Sequence, residues 1–167
     1  MLDTGTLELD LGLVKDGSTV LDTVISLSST DLEGEFDIVS VGPSARLELE
    51  LLLRGEVLVC RGLLEGSVVL RCARCLDHYG ARVSESFTRS FTWGPRADED
   101  DYETQSVLSR CSTVSILDGV REAIILSVPR MPLCSPDCRG LCPACGANLN
   151  RESCAHSKNG GSAAARN

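Results

Sequence analysis

Aromatic residues are scarce in this chain of 167 residues: one Trp, two Tyr and three Phe. Any core is therefore made of Leu, Val and Ile. Bases are also short, with 16 Lys and Arg against 24 Asp and Glu and a formal charge of -8. That balance argues against chain-wide electrostatic adhesion to nucleic acid or to anionic lipid. Long apolar runs are missing. The richest, Leu47 to Leu53, is interrupted by Glu48 and Glu50 and is far too short to span a bilayer. Met1-Leu2-Asp3-Thr4 has no basic region leading into an apolar run, so no signal peptide is expected. There is no Ser/His/Asp ordering, no phosphate-cradling Gly loop and no H-E-x-x-H helix, and the chain is read as a non-enzyme without a small-molecule substrate.

Cysteine, by contrast, is plentiful, with nine residues. An odd count with paired C-x2-C spacing fits metal binding in a reducing compartment better than a disulfide framework, and a cytoplasmic, non-membrane protein is expected. The densest stretch is Cys134-Ser-Pro-Asp-Cys138-Arg-Gly-Leu-Cys142-Pro-Ala-Cys145-Gly146. Two thiolates on a tight turn can grip one tetrahedral ion. Pro143 limits the freedom of that turn, and Gly146 lets the backbone pass under the ion. Zinc is the expected cofactor. Cys142 and Cys145 are its firmest ligands. Cys134 and Cys138 are their nearest partners in sequence, a local set with a small loop-closure cost. Cys72, Cys75, Cys154 and His156 are further candidates, and eight ligands could serve two ions. Cys72-Ala-Arg-Cys75 reads as a ligand pair or structural turn ahead of a redox pair, because the redox version opens a helix and none is evident here. Cys60 is expected in the core and Cys111 in a loop. His78 is expected at the polar surface.

Alternating patterns fill the front of the chain. Leu7, Leu9, Leu11 and Leu13 predict a strand, followed by a turn at Lys15 to Ser18. Val20 to Leu27 and Phe36 to Val41 are further strand candidates. Leu47 to Leu53, Val57 to Arg61, Gly66 to Arg71 and Val83 to Phe91 predict an antiparallel meander over 44–91, with a turn at Leu76 to Gly80. At Ile116 to Ser127 the period changes. Leu117, Val120, Ile124 and Val128 share a helical stripe, and Pro129 ends it. The expected fold is mainly β within an α+β class: an antiparallel β-barrel or sandwich-like domain with one helix and a C-terminal Cys-rich zinc knuckle. The expected organisation is a β-rich domain over 1–129, with an acidic loop at 94–106, a Cys-rich segment over 130–156 and a flexible tail over 157–167.

Any nucleic-acid contact has to be local. Arg61, Arg71 and Arg74 gather in sequence near the Cys72/Cys75 turn, and arginines on a rigid turn can meet phosphates. Ordinary surface pairing with the abundant acids is the competing reading.

In order, Cys72-Ala-Arg-Cys75-Leu76, then Glu122 and Ile124 to Pro129, then Gly140-Leu-Cys-Pro-Ala-Cys-Gly-Ala-Asn-Leu-Asn150 resemble the bacterial YceD family, the large ribosomal RNA subunit accumulation proteins. The resemblance covers about residues 5 to 156. It implies a non-catalytic ribosome biogenesis factor that supports accumulation or processing of large-subunit (23S) ribosomal RNA. Its partner would be that RNA or a pre-ribosomal particle. It matches at Cys72, Arg74, Cys75, Glu122, Pro129, Cys134, Cys138, Cys142, Cys145, Asn148, Asn150 and Cys154. Where full-tailed members often end Cys-x-Cys, this chain has Cys154-Ala-His156. Two other readings stay open. One is a zinc-stabilised adaptor whose acidic segments dock a basic ribosomal protein, and the other is a thiol redox protein.

Overall fold

The computed structural model describes residues 2–27, 30–93, 104–106 and 112–156. Its framework is a hairpin of two long strands. β5 runs Val57–Arg71 and β6 runs His78–Thr92, paired antiparallel from Val57↔Thr92 to Arg71↔His78. The sequence pattern divides β5 into two strands, but Gly62 and Gly66 do not break it, because both keep their ladder partners on β6.

The four elements before β5 are β1 (Glu8–Asp10), β2 (Gly17–Ser26), β3 (Ile38–Val41) and β4 (Ser44–Arg54). β4 pairs with the first part of β5 through a turn at Gly55, whose φ of 60° suits glycine. β3 pairs with the last part of β5, so β3 and β4 follow one another along the same side. β2 covers the outer side of β4 from Gly17↔Leu53 to Ser26↔Ser44. The strand therefore begins inside the expected Lys15 to Ser18 turn. Beyond β6 lies β7 (Thr104–Ser106), paired parallel with it.

Alternation becomes two faces. Leu47, Leu49, Leu51 and Leu53 of β4 point into the core with Leu58, Cys60 and Leu64 of β5 and Val83, Phe87 and Phe91 of β6. Each fully buried Leu is worth about 1.5–3 kcal/mol relative to exposure, so a core poor in aromatics is sufficient. The sheet curls, but its described strands do not close a barrel, since β2 and β7 remain its edges. The open mouth is covered instead by a helix and a small second sheet. α1 (Leu117–Ser127) lays Val120, Ala123 and Ile124 on the core, and β1 pairs with β8 (Thr113–Ser115), bringing in Leu9 and Val114. α1 ends where Pro129 forbids continuation.

Two strand expectations change. Leu7 to Leu13 is not one strand: β1 stops at Asp10, whose Oδ1 accepts from the Gly12 N–H (2.9 Å) and bends Leu11–Leu13 into a 3-10 turn. Of the acidic loop at 94–106, residues 94–103 lie outside the described residues, and Thr104–Ser106 is strand. Cys111 and the 157–167 tail also lie outside. Among the described residues no helix is long and apolar enough to cross a membrane.

Candidate metal centre

The β5–β6 hairpin presents a turn at one end of the sheet. Cys72 follows the last residue of β5, and Cys75 lies three residues before His78 opens β6. Within that turn the Leu76 N–H donates to the Cys72 carbonyl (3.0 Å) and the Cys72 N–H donates to the Asp77 carbonyl (2.9 Å). The Cys142/Cys145 turn repeats the pattern. Gly146 N–H donates to Cys142 (2.8 Å), and Cys142 N–H donates to Ala147 (2.8 Å). In both turns the residue after the second cysteine is left-handed, with φ 61° at Leu76 and 74° at Gly146. The chain therefore holds two knuckles of one build.

Each knuckle belongs to a separate ligand group. Cys72, Cys75, Cys134 and Cys138 form one, and Cys142, Cys145, Cys154 and His156 form the other. Within each group the ligand atoms lie within 4.8 Å of one another. In the first group Cys72 Sγ is 3.7 Å from Cys138 Sγ, and Cys75 Sγ is 3.6 Å from Cys134 Sγ. A tetrahedron with Zn–S bonds of about 2.3 Å sets its sulfurs about 3.8 Å apart. A disulfide needs about 2.0 Å. These two sulfur pairs are thus spaced as neighbours in a tetrahedral site would be, and not as disulfides. Four sulfurs and three sulfurs with one imidazole are both donor sets of structural zinc.

The backbone prepares these thiols. Burial pushes the Cys72 thiol up, but N–H groups of Cys134, Cys75 and Arg74 outweigh it and bring it down to about 6. N–H groups of Ala144 and Cys145 lower Cys142 to about 7. Desolvation and the thiols of Cys75, Cys138 and Cys72 push Cys134 up to about 12. Sulfurs packed this closely resist losing all their protons unless a cation shares the charge. A divalent ion held there would supply that charge and would cross-link the segments that carry the four side chains.

The two groups differ in setting. Cys72, Cys75 and Cys138 are buried under Tyr79, Leu133 and Leu141. In the second group Cys142 is buried while Cys145 and His156 are exposed. Three contacts clamp the first group together. The Ala73 N–H donates to the Pro132 carbonyl (2.8 Å), Arg74 Nη1 donates to the Cys138 carbonyl (3.0 Å), and Gly140 (φ 71°) passes so near that a Cβ there would stand 3.0 Å from the Arg74 carbonyl.

A family model described as "Large ribosomal RNA subunit accumulation protein YceD" matches residues 60–164. The chain belongs to the YceD family. An uncharacterized protein of Mycobacterium tuberculosis is 31% identical to it over 134 residues, covering 78% of this chain and 63% of that protein. One from Mycobacterium leprae is 27% identical over 128 residues, covering 76% of this chain and 58% of that protein. A maize protein named "Large ribosomal RNA subunit accumulation protein YCED homolog 1, chloroplastic" is 24% identical over 120 residues, covering 55% and 41%. The chain thus spans less than two thirds of the length of these relatives. No solved structure matches it.

In this YceD chain the local set Cys134, Cys138, Cys142 and Cys145 is divided between two groups. Chain direction explains it. The first pair turns back onto the hairpin end through Pro132 and Arg74, while the second pair closes on the chain that follows it. His78 sits exposed on β6 and joins neither group, and Cys60 is core, its thiol pushed up to about 12 by burial. Of the three arginines singled out, Arg61 pairs with Glu50 (3.7 Å) and Arg71 with Asp37 (2.8 Å), while Arg74 is the clamp on Cys138. Asp77 and Pro132 carry no motif signal. Asn148 and Asn150 match the family pattern, but only the fold shows what they touch.

Proposed function

We propose that this chain is a non-catalytic ribosome biogenesis factor supporting accumulation and processing of large-subunit (23S) ribosomal RNA, with zinc in both ligand groups as a structural element. The observation that carries the reading is the family match over residues 60–164, a span containing all eight ligands. Closed sites of sulfur and imidazole serve shape, and the shape served here is the end of the long hairpin. RNA phosphates meet that end through Arg71 and Arg74, with Arg61, further back along β5 and opposite Thr88 of β6, as a separate contact. The ion pairs of Arg61 and Arg71 are exposed, hold by about 0–1 kcal/mol, and yield to a phosphate. The test is deletion of the gene with measurement of mature large-subunit against small-subunit ribosomal RNA. The large-subunit species should fall, return with the wild-type chain, and not return with Cys72→Ser or Cys142→Ser. An unchanged ratio would sink the reading.

A protein partner is the second reading, favoured by the outer face of β2 and β4, where Asp22 stands opposite Glu48 and Glu50 lies beside them, Asp22 paired with Arg46 and Glu50 with Arg61. A basic ribosomal protein suits that face. Partners retained in a pull-down after ribonuclease treatment would favour this adaptor role.

A further inference from the structure

Asn150 lies in the loop between Cys145 and Cys154, two ligands of the second group, yet its side chain reaches the first. Its Nδ2 donates to Cys138 Sγ at 3.3 Å. The amide's orientation follows from its other contact. Oδ1 accepts from the Arg139 N–H at 2.7 Å, and a backbone N–H only donates, so the NH2 must face the sulfur. Asn148 holds Asn150 in place. Its Oδ1 accepts from both the Asn150 N–H and Nδ2 (3.0 Å each), and its own Nδ2 donates to Asp77 Oδ2 (2.8 Å) in the first knuckle. The Leu149 N–H adds a bond to the Gly140 carbonyl (2.9 Å), and Arg151 pairs with Asp77 (3.1 Å). Apart from the two Asn148–Asn150 bonds, which lie within the loop, each of these links runs from the loop of the second group to the wall of the first.

We propose that Asn150, oriented by Asn148, couples the two groups, so that an ion in the second tightens the hold on an ion in the first. The inference rests on the zinc reading above. Closing the Cys145–Cys154 loop around an ion removes the freedom that Asn150 would otherwise lose in reaching Cys138. An N–H donated to a ligand sulfur stabilises its thiolate form, as partners behind metal ligands do elsewhere, where their loss costs about 10–100-fold in metal affinity. Linkage makes the effect reciprocal: the first ion must favour the second by the same factor. Asn150 is a positioning residue in this scheme and not a ligand.

The test loads the full chain with cadmium-113 and follows both ions by NMR, where a four-sulfur site and a three-sulfur, one-nitrogen site resonate apart. The readout is retention of the four-sulfur ion against a competing chelator. Emptying the second group with Cys154→Ser/His156→Ala should weaken that retention by about 10–100-fold. Asn150→Ala should weaken it alone, and in that background emptying the second group should add nothing. Asn150→Asp keeps the oxygen that Arg139 uses and deletes the N–H, so it should also abolish the cross-effect with the loop still anchored. Retention that is equal with the second group full or empty overturns the coupling, as does a cross-effect that survives both Asn150 variants. A wild-type chain that takes up no ion at the four-sulfur site overturns the zinc reading beneath it, a separate and recognisable result.

Discussion

The ring of Phe87 occupies the space that a side chain on Gly62 would need. A Cβ at Gly62 would stand 2.4 Å from two ring carbons, and one at Gly119 of α1 would stand 2.5 Å from another. The two glycines therefore let the Phe87 ring fill the gap between sheet and helix. Alanine in a strand ordinarily gains about 0.5–1 kcal/mol over glycine. Here the ring is hemmed on both sides and cannot yield, so overpacking decides the sign. Gly62→Ala should lose about 1–3 kcal/mol by denaturant unfolding. In a Phe87→Leu background the same change should cost less, which separates the clash from any backbone effect.

Leu76 stands in the first knuckle where Gly146 stands in the second. Leu76 is 55% exposed and buries little to offset its left-handed φ of 61°. A non-glycine residue there costs about 1–2 kcal/mol. Leu76→Gly relieves that strain and raises the freedom of the unfolded chain, and the two largely cancel. The expected result is stability within about 1 kcal/mol of wild type and an unchanged metal content. Gly146→Leu runs the same balance in reverse and should also stay within about 1 kcal/mol of wild type, measured on the metal-loaded chain.

Metal removal should act locally. The sheet core and the cluster of Cys72, Cys75 and Cys138 are separate, so the first does not depend on the second for burial. Chelation should expose the amides of Leu76, Gly146 and Leu149 to hydrogen exchange while those of the β4–β5–β6 ladder stay protected. Acid should mimic the chelator, because protons compete with the ion for thiolates and metal is lost as pH falls. Cooperative loss of the whole sheet with the metal would contradict the separation of the two cores.

Much of this fold was legible in the sequence where a period is strong. Leu47 to Leu53 reads directly as the inner face of β4, and Val120 and Ile124 read as the buried stripe of α1, with Leu117 half-buried at its start. What failed were features decided by distant contacts. Gly62 and Gly66 look like breaks because glycine weakens strands, but their pairing with β6 overrides that local preference. β8 is three residues long and exists because β1 lies beside it. The side chains that gather into the two groups stood out by their spacing, but their division did not. Sequence distance favours joining Cys134 and Cys138 to Cys142 and Cys145, and nothing in the spacing reports that Pro132 and Arg74 tie the first pair to the hairpin.

Arg74 and Arg71 are neighbours in sequence with different duties, and their variants should separate RNA contact from site integrity. Arg74 fixes the Cys138 carbonyl, so Arg74→Ala should lower both metal retention and RNA association. Among the described residues Arg71 is tied to Asp37, with 54% of its side chain exposed. Arg71→Ala should leave stability within about 1 kcal/mol and metal content unchanged, because exposed pairs contribute little. If Arg71 meets a phosphate, that variant weakens binding to large-subunit ribosomal RNA evenly across sequences and reduces the slope of log affinity against log salt by about 1. Arg61→Ala should behave likewise. Binding assays across a salt series on the metal-loaded chain decide it. An unchanged slope in both variants would remove Arg61 and Arg71 from the RNA surface and leave the acidic outer face of β2 and β4 as the better place to look for a partner.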